Sequence, residues 1–459
     1  MAAPDATPAP SEPDVDPSRS SLLRDTVWRV TAIGSSVAFG AVSAFVTARW
    51  LGPAGQGFVS TLGFISSMAA MVLALGLGDS AVALVAWERS SLKRAIANVL
   101  GWGLLSSSIG VLPLFLVAAV LLGPDESPQT LAIAIVAATL IPSVMATMGA
   151  QLLRLLDDLV SSSNVFLVTS AATTAGIVFF VAILDLGLPG AAVATALGQL
   201  CGLATGFSRV FRRTAVPRPS CDPGYLREAA PYGLKVEASN ALWLAWGRLD
   251  LLLVYTILGA ASAGRYSVAL TVSAMTGRPA YALTYTSFPR LTRASAEQRR
   301  ALLGRLIRLA TVTTFVTFLC MAALLPVAIP LVLGSAFAAS VAPAIVLCAG
   351  AVLNSAQWLL ARGFAAAGEA NLTVVSLALN VVVMCGLDLV LIPAFGLIGA
   401  AAASVVAPAV GLVPCLRRFA RDGSLRELVP RWSESMRLAQ RGFRAGIRSA
   451  AAAAGRSGS

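Results

Sequence analysis

The sequence predicts an all-α polytopic membrane protein with about 12 transmembrane helices in two pseudo-symmetric six-helix bundles. Three observations carry that prediction. First, 57% of the 459 residues are hydrophobic, only 12% are charged and the mean hydropathy is +0.79. Soluble domains run at roughly 45–50% apolar and about 25% charged, so this chain needs lipid as its solvent. Second, long apolar runs recur from Val30 to Leu416, each near or above the about 20 residues a helix needs to cross hydrocarbon. Third, the basic residues sit in alternate loops.

The spans fall at 30–48, 57–86, 97–122, 130–152, 163–184, 188–208, 233–257, 266–288, 309–333, 341–361, 372–393 and 396–416. With the amino terminus in the cytoplasm, 29 of the 34 Lys and Arg lie in segments on the cytoplasmic side, and only Arg49 and Arg265 in outer loops. Translocation disfavours basic residues in short outer loops, so both termini are expected to be cytoplasmic. The net charge of +12 is therefore a topology signal and not a nucleic-acid footprint. The chain divides into a cytoplasmic tail, disordered to interfacial (1–29), an amino-terminal lobe (30–208), a basic cytoplasmic linker (209–232), a carboxy-terminal lobe (233–416) and a basic tail (417–459). The first 20 residues have no apolar core, which argues against a cleavable signal. In the last segment Trp432, Met436, Ala439, Phe443 and Ile447 share one helical stripe and Arg437, Arg441, Arg444 and Arg448 another. Such an amphipathic helix would rest on anionic headgroups, although a solvated basic tail has the same composition.

Three stretches of the first half recur in the second. LGPAGQGF from Leu51 resembles LGAASAGRY from Leu258, AQLLR from Ala150 resembles AQWLLAR from Ala356, and GLPGAAVAT from Gly187 resembles GLIGAAAAS from Gly396. The offsets are 207, 206 and 209 residues, in order along the chain. An even number of spans separates the copies, so the halves insert in the same orientation about an axis along the membrane normal. Proteins of this layout bind substrate between the halves and rock about it. Pro142, Pro279, Pro326, Pro330, Pro343 and Pro408 interrupt spans and offer bends for such motion.

Seven ionisable residues fall inside spans: Asp79, Lys235, Glu237, Arg248, Asp250, Arg278 and Asp388. Each costs about 2.5–3.5 kcal/mol at a helix centre, so each is expected to face the interior, water or a partner. Lys235, Arg248 and Arg278 make part of a cationic cavity for a pyrophosphate, because guanidinium binds phosphate bidentately. Arg248 and Asp388 lie at similar depth, where they can pair; interhelical ion pairing would account for these residues equally well. Asp250, Asp388, Glu237 and, close to the inner surface, Asp79 are candidates for binding a coupling proton or cation. Asn240, Asn354, Gln357 and Asn380 are candidate hydrogen-bonders in the cavity, or else interhelical ties.

Other classes find little support. With no histidine and six scattered cysteines lacking CxxC spacing, no metal site or cofactor is expected. No phosphate loop is present, and the loop after the second span reads WERSSLKR and not the basic motif of a major facilitator. A membrane glycosyltransferase would need exposed outer acids, for which only Asp125 and Glu126 qualify, so no catalytic site is expected.

Taken together, ARWLGPAGQG, GRLDLLLVYTILGAASAGRYSVA and NVVVMCGLDLVLIPAFGLIGAAAAS resemble the polysaccharide (O-antigen type) flippases of the multidrug/oligosaccharidyl-lipid/polysaccharide exporter superfamily, over about residues 25–418. The resemblance implies a bacterial inner-membrane protein whose two six-helix bundles form a V. It implies movement of undecaprenyl-diphosphate-linked oligosaccharide to the outer leaflet by alternating access, coupled to an ion gradient. The implied partners are the lipid-linked oligosaccharide, membrane lipids and glycan-assembly enzymes. A lipid II flippase, a drug or cation antiporter of the same superfamily, and a non-transporting scaffold for cell-wall assembly are the alternatives. The first half offers no intramembrane Lys or Arg, a departure from a symmetric cationic cavity.

Overall fold

A computed structural model describes residues 19–123, 127–214 and 217–421, and all regular structure among them is helical. The first half contains α1 (Arg19–Ala74), α2 (Leu77–Ala86), α3 (Leu92–Leu122), α4 (Ser127–Ala138), α5 (Leu140–Leu155), α6 (Leu159–Ile177) and α7 (Gly187–Arg213). The second contains α8 (Pro223–Leu258), α9 (Ala260–Thr276), α10 (Arg278–Arg293), α11 (Ala296–Leu333), α12 (Val341–Ala366) and α13 (Ala370–Arg421). Nine helical stretches among the described residues are long and apolar enough to cross a membrane. The first and last of these each divide into two crossings at a glycine, Gly52 and Gly396. With the broken pair α9 and α10, this makes six crossings in each half.

The duplicated motifs mark the places where the backbone turns. Gly52 and Gly259 have φ of +68° and +83°, and Gly187 and Gly396 have φ of +61° and +60°. Glycine reaches this left-handed region without the Cβ penalty that other residues incur. After Gly52, Pro53 supplies the φ a first helical turn needs and lacks the N–H that would continue the preceding helix. Two recurring glycines thus separate the first and second crossings of each half, and two more the fifth and sixth.

Several crossings are broken within themselves. The second breaks at Leu75 and Gly76, both at positive φ, the fourth at Thr139 and the eighth at Gly277. In the eighth, Pro279 cannot donate to the carbonyl four residues back and its ring crowds that carbonyl, so the helix restarts at Arg278. The outward faces carry apolar side chains, among them Val120 at 81% exposure and Leu331 at 77%. In lipid these side chains are solvated by acyl chains. A multi-pass membrane protein is the consistent reading of such surfaces.

The halves meet through glycine. A Cβ on Gly57 would lie 1.9 Å from the Ala260 carbonyl oxygen, and one on Gly264 would lie 1.8 Å from that of Pro53. Nearer the face that carries the basic loops, a Cβ on Gly76 would lie 2.4 Å from the Gly233 carbonyl oxygen. The main apolar core runs through both halves, joining Phe58 and Leu62 to Leu251, Tyr266 and Phe337.

Three boundaries differ from the sequence reading. Helix α1 is already helical at Arg19, the first described residue and within the stretch assigned to the tail, and the Trp28 indole donates to Asn164 Oδ1 at 2.9 Å. The linker is shorter than 209–232, since α7 runs to Arg213 and α8 begins at Pro223, capped by the Asp222 side chain. That linker is docked on α3: Ser220 N–H donates to the Ala97 carbonyl, Asp222 N–H to Asn98 Oδ1, and Arg94 grips the Asp222 carboxylate at 2.6 and 3.1 Å. The amphipathic stretch of the basic tail, and the acids Asp125 and Glu126, lie outside the described residues.

Candidate functional site

Arg248 near the far end of α8, Arg278 at the break between α9 and α10, and Asn354 on α12 line one cavity of about 400 Å³. Arg278 reaches it because the proline break presents the first residue of α10 to the hollow. Trp246, Trp358 and Tyr281 form its aromatic wall, with Trp358 edge-on to Trp246 at 6.3 Å and to Tyr281 at 5.9 Å between ring centroids. Neither arginine makes an ion pair with any described residue. Asn354 Oδ1 and Trp358 Nε1 are buried without hydrogen-bond partners among the described residues. The walls come from α8, α9, α10, α12 and α13, all in the second half. Two guanidinium groups, an aromatic wall and unused polar atoms in one hollow suit an anionic ligand with an apolar or sugar-bearing neighbour.

Asp250 also lines this cavity, yet its carboxylate is turned to neighbours. It accepts from the Tyr266 hydroxyl at 2.7 Å, the Ser404 hydroxyl at 2.9 Å and the Leu251 N–H at 2.8 Å. Arg248 is close enough to feel its charge without forming a contact pair. Asp388 is fully buried, within electrostatic reach of Asp250, and neither of its oxygens has a hydrogen-bond partner among the described residues. The pairing of Arg248 with Asp388 that equal depth allows is not formed. Two buried acids with no contacting cation form an arrangement in which a proton or metal cation would be stabilised.

The other sequence candidates go elsewhere. Lys235 is exposed and lines none of the cavities described; it lies 13 residues, about 20 Å, from Arg248 along α8. Gln357 is 3% exposed and is used as an interhelical tie. Its amide donates to Ser376 Oγ at 2.8 Å and lies 3.2 Å from the Asn380 amide, while Ser376 Oγ donates to the Gly411 carbonyl. Asp79 pairs with Arg154 at 3.2 Å at the basic-loop face, which accounts for its charge. Glu237 is buried, and Asn240 stands within hydrogen-bonding reach of its carboxylate. Both turn towards a hollow of the first half that also carries Gln151, Gln199 and Thr169. The aromatic wall, Tyr266 and Ser404 escape sequence reading because their partners lie on other helices, with no local pattern to mark them.

The chain matches the family model described as polysaccharide biosynthesis protein over residues 22–295. No curated protein matches it. Among solved structures it is similar to the lipid II flippase MurJ in an inward closed conformation, with TM-score 0.72 and 11% identity over 88% of this chain and 89% of that one. It is similar to an inward-facing multidrug resistance MATE family transporter of the MOP superfamily, with TM-score 0.67 and 16% identity over 86% and 98%. A MOP superfamily transporter from Pyrococcus furiosus is similar at TM-score 0.55 and 14% identity over 87% and 95%. The helical order, the paired glycine turns and the family match agree: this chain belongs to the polysaccharide biosynthesis protein family, built on the fold of the MOP superfamily transporters.

Proposed function

We propose that this protein is a flippase that moves undecaprenyl-diphosphate-linked oligosaccharide from the inner to the outer leaflet of a bacterial cytoplasmic membrane by alternating access. The observation that carries the reading is the pair Arg248 and Arg278 on one cavity, neither ion-paired with a described residue. A diphosphate entering the membrane must exchange water for compensating charge, and two guanidinium groups supply it bidentately. The basic loops favour cytoplasmic termini, with the 123–129 and 334–340 loops outside. In this reading Asp250 and Asp388 bind the coupling proton or cation, since two neighbouring buried acids with no contacting cation among the described residues are neutralised by one or the other.

Deleting the gene tests the reading. A deletion strain should accumulate undecaprenyl-linked oligosaccharide on the inner leaflet, and restoring the gene should clear it. Accumulation of lipid II in its place would make the protein a lipid II flippase. Unchanged lipid pools with altered drug sensitivity would contradict the saccharide reading.

A further inference from the structure

Resting on the flippase reading above, we infer that the neutral hollow of the first half is a saccharide-binding subsite, separate from the arginine cavity that receives the diphosphate. Two adjoining cavities, of about 310 and about 120 Å³, share Ser67, Ser143 and Gln199 in their walls and so form one hollow. No described Lys or Arg lines it. Its polar groups are hydroxyls, amides and the single carboxylate of Glu237, and Phe58 and Phe166 add aromatic surface. Sugar ring hydroxyls donate and accept at once, which amide and carboxylate side chains match and isolated cations do not.

The duplication shows how the halves have diverged. At the offset that relates Gly57 to Gly264, Arg278 corresponds to Met71, which lines the neutral hollow, and Arg248 corresponds to Ala41. Gln151 corresponds to Gln357 at the offset of the AQLLR repeat. Gln357 is consumed by its ties to Ser376 and Asn380, whereas Gln151 lines the hollow, 6% exposed, with its amide oxygen unpartnered. At the place of Arg278 the second half is cationic and the first is not. Helix α8 borders both: Glu237 and Asn240 face the neutral hollow, and Arg248 the cationic one. Asn240 and Arg248 are eight residues apart, about 12 Å along the helix, which leaves room for a short saccharide beside a diphosphate.

The test compares two probes on full-length protein in nanodiscs: undecaprenyl diphosphate, and the undecaprenyl-linked oligosaccharide extracted from the deletion strain. Gln199→Ala removes a side chain with no hydrogen-bond partner among the described residues, so the fold should be kept; Asn240→Ala is the second variant. Each should weaken binding of the oligosaccharide-bearing lipid by about tenfold or more and leave undecaprenyl diphosphate unchanged. Arg278→Ala should weaken both. Equal loss for both lipids, or no loss for either, in Gln199→Ala and Asn240→Ala would overturn the saccharide subsite while leaving the flippase reading intact. Failure of the unaltered protein to bind either lipid would remove the flippase reading and the subsite with it.

Discussion

Gly57 packs against the carbonyl of Ala260 while Gly264 packs against the carbonyl of Pro53, and both pairs of equivalents are 207 residues apart. The contact is reciprocal, as a two-fold relation between the halves requires. It also explains the glycines at these positions, because a methyl group on either would need the facing backbone to retreat. Gly57→Ala and Gly264→Ala should each destabilise by about 1–3 kcal/mol, the usual cost of overpacking a close contact. Thermal unfolding of the purified variants checks this. An unchanged Tm for both would mean that the halves do not close here.

Docking of the linker should depend on pH. The Arg94 guanidinium, and after it the Gly224 N–H, hold the Asp222 carboxyl below the usual carboxylate range. A group with a depressed folded pKa contributes stability above its unfolded pKa, about 3.9 for Asp, and loses it as pH falls through the folded value. Hydrogen exchange at the Ser220 and Asp222 amides, corrected for intrinsic rates, should therefore lose protection only below pH ~4. Asp222→Asn should show weakened protection throughout. Protection in the unaltered protein that did not fall with acid would contradict the clamp.

Two amides that look alike in sequence should behave differently. Gln357→Ala strands the buried Ser376 and Asn380 groups and should cost about 1–3 kcal/mol of stability, seen as reduced abundance. Asn354→Ala removes an amide whose oxygen has no partner, and should leave abundance normal while weakening substrate binding. Measuring both quantities for both variants separates the tie from the site.

Asp388→Asn replaces a buried, unpartnered carboxylate by a neutral group of the same shape. Abundance and Tm should be kept, and transport should lose its response to an imposed ion gradient. A liposome assay with and without the gradient reads this directly. An undiminished response would take Asp388 out of the coupling site.

The fold was legible because its signals are local and repeated: apolar runs, basic loops and glycines at matching offsets. Each of Gly52, Gly187, Gly259 and Gly396 marks a left-handed turn that a side chain would strain, so the motif and its geometry coincide. The site was legible in part. Arg248, Arg278 and Asn354 were flagged by charge and polarity inside spans, and they line one cavity. Lys235 and Gln357 carried the same flags and lie elsewhere, because polarity alone does not say which face a side chain occupies. Tyr266, which holds Asp250, and Trp358, which stands between Trp246 and Tyr281, depend on pairings between helices that no local pattern records.

The central claim is that Arg278 binds the diphosphate and does not serve the fold. Flipping by Arg278→Ala in liposomes, measured beside its abundance in the membrane, tests it most directly. With the guanidinium gone, the loss of charged hydrogen bonds should slow flipping by about ten- to a hundredfold at normal abundance. Arg278→Lys should recover only part, because the bidentate fork is missing. Full flipping by Arg278→Ala at normal abundance would contradict the account, and so would a deficit traced entirely to lost protein.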